Sequence, residues 1–362
     1  MKIAIVHDYI KEYGGAEKVL EELHNLFPKA PIYTTVYLPK FLGPHRERFE
    51  KMDIRPSILQ YIPFKSKLIS PLRLLAIPVF KVMNFSKFDL VIVSATGAYQ
   101  PNLINKGNAK HICYCHTPPR YLYGYSTARN WQKLPGINVL ATIANHFLRM
   151  IDFKSAQNVD LFIANSKEIQ SRIERFYRKD SVVIYPPVSL SNKVKSVKKG
   201  NYYLTGGRLA RPKRFDLAVK AFNKLNLPLF VFGKDFAGYG KELKGIAGKN
   251  IKFLGEISEE EKIRLMTEAK AFIFSAEDED FGITPVEAMS LGTAVIAFKS
   301  GGVKESVIEG KTGLFFEKSD SESLILAVKR FEKMKINSED CIKQANNFSK
   351  EKFDKEIIKI IK

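Results

Sequence analysis

Two glutamates, Glu279 and Glu287, stand with seven residues between them around the stretch Phe281-Gly282-Ile283-Thr284-Pro285. Carboxylates bind hydroxyl groups, and a glycine such as Gly282 lets the backbone come close to a ligand. Thr284 has the chemistry of a helix N-cap, and Pro285 suits the first helical position, where its missing N–H costs nothing. The free N–H groups of such a helix start attract anions. Hydroxyl-binding carboxylates beside an anion site point to a ligand that carries both hydroxyls and phosphate. The same residues also read as a capping box, with Glu287 three positions after Thr284. Within Glu277–Asp280 an Asp-x-Asp pattern would further suit magnesium on a diphosphate.

Positive charge comes from Gly206-Gly-Arg-Leu-Ala-Arg-Pro-Lys-Arg214. Arg208 can fork onto phosphate oxygens and Lys213 adds a compact charge, each charge-assisted bond contributing roughly 1.5–3 kcal/mol. Arg211 and Arg214 read as surface charges. A glycine turn, Gly14-Gly15, lies between an apolar run (Ile3–His7) and a segment with helical apolar spacing, an arrangement that cradles phosphate or simply makes a tight turn. A full Gly-x-Gly-x-x-Gly is missing, which counts against a dinucleotide oxidoreductase. His116 opens the loop His-Thr-Pro-Pro-Arg-Tyr-Leu-Tyr123. Alternation along the preceding run puts His111, Cys113 and Cys115 on one face, which suggests zinc, but no second Cys/His cluster completes a site.

The elements that must position these groups repeat twice. Apolar strands are expected at Ile3–His7, Asp89–Ser94, Lys110–His116, Asp160–Ser166 and Val182–Tyr185, with a helix over Thr142–Phe153 and Ser166 as a helix cap. The double proline Pro186-Pro187 then breaks the pattern, and the lysine-rich stretch 193–199 reads as hinge. Strands restart at Asn201–Thr205, Leu229–Phe232, Ile251–Leu254, Ala271–Phe274, Ala294–Phe298 and Gly313–Phe316. Strands this apolar are covered on both faces, as in parallel sheets. The expected division is 1–186, 187–345 and a final helix over 346–362. Two doubly wound α/β halves of this kind imply a cleft.

At 362 residues the chain suits two domains, and its three cysteines make no disulfide framework and favour a reducing compartment. The chain opens directly on an apolar strand, and no run is long enough to span a membrane, so a cytoplasmic protein is expected. The net charge of +20 calls for an anionic partner. From Ile54 to Phe88 there is no acidic residue, and basic side chains alternate with apolar and aromatic ones. That mixture suits the inner face of an anionic membrane, or a solvated basic surface, better than nucleic acid, for which no stacking platform is evident. Pro56, Pro63, Pro71 and Pro78 are expected to break the stretch into short pieces.

Glu279 and Glu287, taken with Phe281-Gly282, Ala288-Met289, Gly292 and Val295-Ile296, resemble the carboxylate motif of the retaining glycosyltransferases of family 4. His116-Thr-Pro-Pro-Arg-Tyr121 resembles a signature of the mannose-transferring subgroup, which commonly has tryptophan where this chain has Tyr123. The resemblance implies the GT-B fold, two Rossmann-like domains facing across a cleft, and transfer of a hexose from a nucleotide diphosphate sugar to an acceptor hydroxyl with retention. It assigns Glu279, Phe281, Gly282, Ile283 and His116 to the sugar, with Glu279 and His116 as catalytic groups. Arg208, Lys213, Gly14, Gly15 and Gly282 fall to the diphosphate, Glu287 to the ribose, and Gly233, Lys234 and Ile257 to the base. Side-chain cations then replace a metal, so no cofactor is expected. GDP-mannose is favoured over UDP-sugars as donor, and a glycan or lipid-linked acceptor fits the basic, apolar stretch. Alternatives are a nucleotide-sugar 2-epimerase of the same fold and a non-catalytic protein binding anionic lipid. A glycoside hydrolase using the two glutamates would not need Arg208 and Lys213.

Overall fold

A computed structural model describes residues 1–127, 137–190 and 199–362, with backbone alone for 137–141. The chain divides into two compact units: Met1–Tyr125, the elements up to Pro187 and Phe353–Lys362 in one, and essentially Val188–Lys352 in the other. Most of the expected hinge lies outside the described residues. Its last residue, Lys199, is no free linker: its ammonium donates at 2.7 Å to the Thr267 carbonyl and to the Thr293 hydroxyl.

The first unit is built on a parallel sheet of β1 (Ile3–His7), β2 (Ile32–Thr34), β3 (Ile54–Pro56), β4 (Leu90–Ala95), β5 (Lys110–Cys115), β6 (Leu161–Ala164) and β7 (Ser181–Val183), in the order β3-β2-β1-β4-β5-β6-β7. Alternation sends Ala4, Val6, Val91, Val93, Cys113 and Cys115 into one apolar layer. Ile5, Leu90, Ile92, Ile112 and Tyr114 go into the other, which also takes in Phe353 and Ile357 of the helix Lys350–Ile361. Both faces are covered, which is why these strands read as unbroken apolar runs. β2 and β3 were not expected from the sequence. Nor does the basic stretch break at each proline: one helix runs over Ile69–Val82 through both Pro71 and Pro78. Pro71 lies in the first turn, where no N–H bond is lost, and Pro78 is on the exposed side of the helix.

The second unit has its own parallel sheet of β8 (Tyr203–Gly206), β9 (Leu229–Phe232), β10 (Ile251–Gly255), β11 (Ala271–Phe274), β12 (Ala294–Phe298) and β13 (Gly313–Phe316), in the order β10-β9-β8-β11-β12-β13. The direction of winding reverses between β1 and β4 in the first unit and between β8 and β11 in the second. Ligands of open α/β sheets bind at the carboxyl ends of strands at such reversals. The segments after β1, β8 and β11 carry Gly14, Gly15, Arg208, Lys213, Glu279, Gly282 and Glu287, while His116 follows β5 and Gly233, Lys234 and Ile257 follow β9 and β10.

Candidate active site

In the second unit, the loops after β8 and β11 bring charge of both signs together. Lys213, at the end of the short turn Arg211–Lys213, places its Nζ 2.5 Å from Oε2 of Glu279. The Ser275 hydroxyl, just past β11, lies 3.0 and 2.8 Å from the carbonyls of Lys213 and Arg214 and shares its one proton between them, which fixes that turn against the strand end. Arg208 is exposed, with its guanidinium 5.2 Å from the centre of the Phe236 ring. Arg214 is not the surface charge the sequence suggested. It is half-buried and spans Asp216 (3.2 Å), Glu277 (3.3 Å) and the Ser319 hydroxyl (2.7 Å), because the left-handed turn at Arg214 folds its side chain back onto the loop.

The helix of the carboxylate stretch covers Ile283–Ser290, so it starts one turn position earlier than Thr284-Pro285 suggested. Gly282 is the N-cap, at φ 90°, a conformation glycine adopts without steric cost. No capping box forms. Glu287 instead meets Lys262 at 3.4 Å, and Lys262 also holds Glu259 at 2.8 Å. Burial disfavours the Lys262 charge, but Glu287 and Glu259 outweigh it and raise the pKa of the ammonium. Lys262 was not selected from sequence, because its partner lies 25 positions away and no local pattern joins them. Phe281 packs its ring on Phe348 and is buried, while Ile283 is half-buried.

A second feature missed from sequence is the Ser300-Gly301-Gly302 turn after β12. The Gly302 N–H donates to the Glu279 carbonyl at 2.8 Å, and a β-carbon at Gly301 would lie 2.2 Å from that same oxygen. Ser300 accepts the Asp278 N–H at 3.0 Å and donates to the Asp278 carboxylate at 3.3 Å. The Asp-x-Asp pattern is thus engaged with protein groups through Asp278. On the other side, Gly233 at φ 129° lies flat on Gly207: a β-carbon there would sit 1.7 Å from the Gly207 carbonyl oxygen. Exposed Lys234 pairs with Glu256 at 3.7 Å, next to half-buried Ile257, so the three base candidates do share one edge.

In the first unit, Gly14 is the extended N-cap of the helix Gly15–Leu26, and its N–H donates to Glu17 Oε2 at 2.9 Å; that donor is therefore used within the protein rather than aimed outward. The other Glu17 oxygen lies 3.9 Å from Nε2 of His7. His7 Nδ1 contacts the Ser94 hydroxyl at 3.0 Å, and the same hydroxyl contacts His116 Nε2 at 2.9 Å. Glu17, His7, Ser94 and His116 form a buried polar line. Burial, with His7 adding to it, lowers the His116 pKa to about 3, so its ring is neutral at physiological pH. Asp8 accepts the N–H groups of Ala98 (3.1 Å) and Tyr99 (3.2 Å), which orders the loop after β4 beside this line.

Tyr123, the departure from the mannose-type signature, stacks on Phe176 with ring centres 4.1 Å apart and donates to Asp152 at 2.8 Å. Burial raises the Asp152 pKa to about 7, against the hydrogen bonds of Tyr123 and Tyr177. His111 and the two cysteines are core groups: His111 contacts Asn102 at 3.1 Å with its pKa lowered to about 3 by burial, and burial pushes the Cys113 thiol up. Among the described residues no group of three or more His, Cys, Asp or Glu side chains is gathered for a metal.

Comparison with known proteins gives two adjoining family matches, to Glycosyltransferase Family 4 over residues 13–192 and to Glycosyl transferases group 1 over 189–348. Similar proteins include an alpha-1,3/1,6-mannosyltransferase ALG2 of Dictyostelium discoideum, 24% identical, with 63% of each chain covered. The protein of that name from Schizosaccharomyces pombe is also 24% identical, with 86% of this chain and 70% of the other covered. Solved structures of similar fold include Anabaena HepE in complex with UDP and glucose, at TM-score 0.74 and 19% identity over 100% and 99% of the chains. A sucrose-phosphate synthase from Thermosynechococcus elongatus gives TM-score 0.72 and 15% identity over 100% and 98%.

Proposed function

Because the chain belongs to the family 4 glycosyltransferases and has their GT-B fold, we propose that it transfers mannose from GDP-mannose, with retention, to a hydroxyl of a glycan or lipid-linked acceptor. The observation that carries this reading is the meeting of Lys213 and Glu279 at 2.5 Å, a phosphate-binding cation and a hydroxyl-binding carboxylate held by the loops after β8 and β11. The mannosyltransferase names of the similar proteins support mannose as the sugar.

Charge develops on the departing diphosphate. Arg208, Lys213 and the N–H groups at the Gly282 helix start stabilise it in place, and loss of one such donor costs ~10² to 10³ in rate. The departing phosphate takes the acceptor proton on the same face, so no separate protein base is required. Glu279 holds the sugar and, by pairing with Lys213, keeps the ammonium aimed at the phosphate. Glu287, steadied by Lys262, holds the ribose hydroxyls. His116, neutral, serves as a hydrogen-bonding group toward the sugar rather than as a charge.

The test is calorimetric titration of the protein with GDP, UDP and ADP, with and without EDTA. Tight GDP binding indifferent to EDTA is expected; UDP preference would move the donor to the UDP-sugar series, and no nucleotide binding would overturn the site. Glu279→Gln is expected to keep nucleotide binding and lose most turnover, whereas Arg208→Ala weakens binding of the diphosphate. Nucleotide binding undiminished in the arginine variant would remove Arg208 from the site.

A further inference from the structure

The turn that carries Lys213 ends on a residue in an uncommon conformation. Arg214 lies at φ 49° and ψ 40°, left-handed values that an L side chain adopts at a steric cost, where the helix Phe215–Leu225 begins. Glycine takes these angles freely, so an arginine stays there because its contacts hold it. Those contacts reach three parts of the second unit. Nε donates to Asp216 Oδ1 at 3.2 Å, at the start of the helix, and Nη1 donates to Glu277 Oε2 at 3.3 Å after β11 and to the Ser319 hydroxyl at 2.7 Å after β13.

The Asp216 anchor is itself fixed. The Tyr239 hydroxyl donates to it at 2.8 Å and accepts the Asp216 N–H at 3.1 Å. Burial opposes the Asp216 charge, but the hydrogen bonds of Arg214 and Tyr239 outweigh it and lower the carboxyl pKa. The backbones of the two loops also meet here, where the Glu277 N–H donates to the Pro212 carbonyl at 3.0 Å. Lys213 is thus next in sequence to one end of the Arg214–Glu277 ion pair, and Glu279 is two residues from the other end. A lysine carries its ammonium on a flexible stem, so where the charge points depends on how its backbone is held.

We infer that Arg214 is a positioning residue for the transfer step: its guanidinium clamps the Lys213 turn to the loop of Glu277 and Glu279, and so keeps the ammonium and the carboxylate in register as the diphosphate departs. This role rests on the reading of Lys213 and Glu279 as donor-site groups. Arginine suits it because a planar fork reaches several acceptors at once, which a lysine ammonium on its stem does not do in the same geometry. Charge on the diphosphate grows in the transition state, so a displaced Lys213 costs turnover more than it costs binding of the nucleotide.

Arg214→Gly tests this in the full chain, because it removes the fork and relieves the left-handed backbone together. Turnover is read as nucleotide released from GDP-mannose, or from UDP-glucose if titration prefers UDP, with water taking the sugar. A melting temperature close to that of the wild type is expected, with nucleotide affinity within about threefold and kcat lower by about a hundredfold. Arg214→Lys, which keeps the charge without the fork, should fall by a similar factor; full turnover in it would overturn the inference. Glu277→Gln should also lower kcat, and the double variant with Arg214→Gly should lose no more than the worse single one, since the two residues act as one clamp. Losses that multiply would overturn it. Amide exchange reads the clamp without any nucleotide: the Glu277 and Asp278 N–H groups should exchange at least about tenfold faster in the glycine variant, with the β8 and β11 amides unchanged. Unaltered exchange at Glu277 and Asp278 would overturn the inference whatever the chain binds. Absence of GDP and UDP binding by the wild type would instead overturn the reading of the site, and exchange then decides the clamp alone.

Discussion

Ser94 touches two histidines with one hydroxyl, and a hydroxyl has a single proton to donate. The Glu17 carboxylate near Nε2 of His7 favours a proton on that nitrogen, which leaves His7 Nδ1 as the acceptor for Ser94. Ser94 then accepts from Nε2–H of His116, and the remaining ring nitrogen of His116 is an acceptor suited to a sugar hydroxyl. Ser94→Ala is therefore expected to lower kcat by roughly a hundredfold, the scale of a small misplacement of a catalytic group, while leaving nucleotide affinity unchanged. Ring-nitrogen NMR shifts of His116 should move in the same variant. A fall in nucleotide affinity without a change in the histidine signals would contradict this. The sequence showed His116 through its loop signature, but His7 and Ser94 sit on neighbouring parallel strands 87 positions apart, a juxtaposition that only the β1–β4 register creates.

At the level of elements, the loop that carries Glu279 is shaped from outside by the Ser300–Gly302 turn. Gly301→Ala places a methyl group against the Glu279 carbonyl in a backbone conformation that favours glycine. Loss of most transferase activity is expected, with destabilisation of about 1–3 kcal/mol; a melting curve and an activity assay separate the two. Wild-type activity would show that the turn does not hold the carboxylate. Strands β9, β11, β12 and β13 were legible to the residue because each is a short apolar run closed by glycine or polar residues. β2 and β3 were not: Ile32-Tyr-Thr34 and Ile54-Arg-Pro56 are three residues each and owe their pairing to the strand beside them. The helix start was misplaced for a related reason. Proline is tolerated throughout the first turn, so Thr284-Pro285 marks a helix beginning without fixing which residue caps it.

The whole molecule is two units whose sequences are not two consecutive segments. The first unit is completed by the helix Lys350–Ile361, whose Phe353 and Ile357 are buried beside Tyr114, the Phe353 and Tyr114 rings 5.9 Å apart. Phe353→Ala should cost about 3–5 kcal/mol, and calorimetry should show it in one transition while GDP or UDP titration still reads an intact second unit. Equal destabilisation of both transitions would mean that the units do not unfold separately. This arrangement also sets an order of events during synthesis. Domains generally fold as they emerge, the N-terminal one first. Here the second unit has all of Val188–Lys352 in hand while the first still lacks Phe353–Lys362. The part translated first is thus the part finished last, and its unfilled apolar layer must wait, exposed to chaperones or to misassembly, until the last turns of helix leave the ribosome.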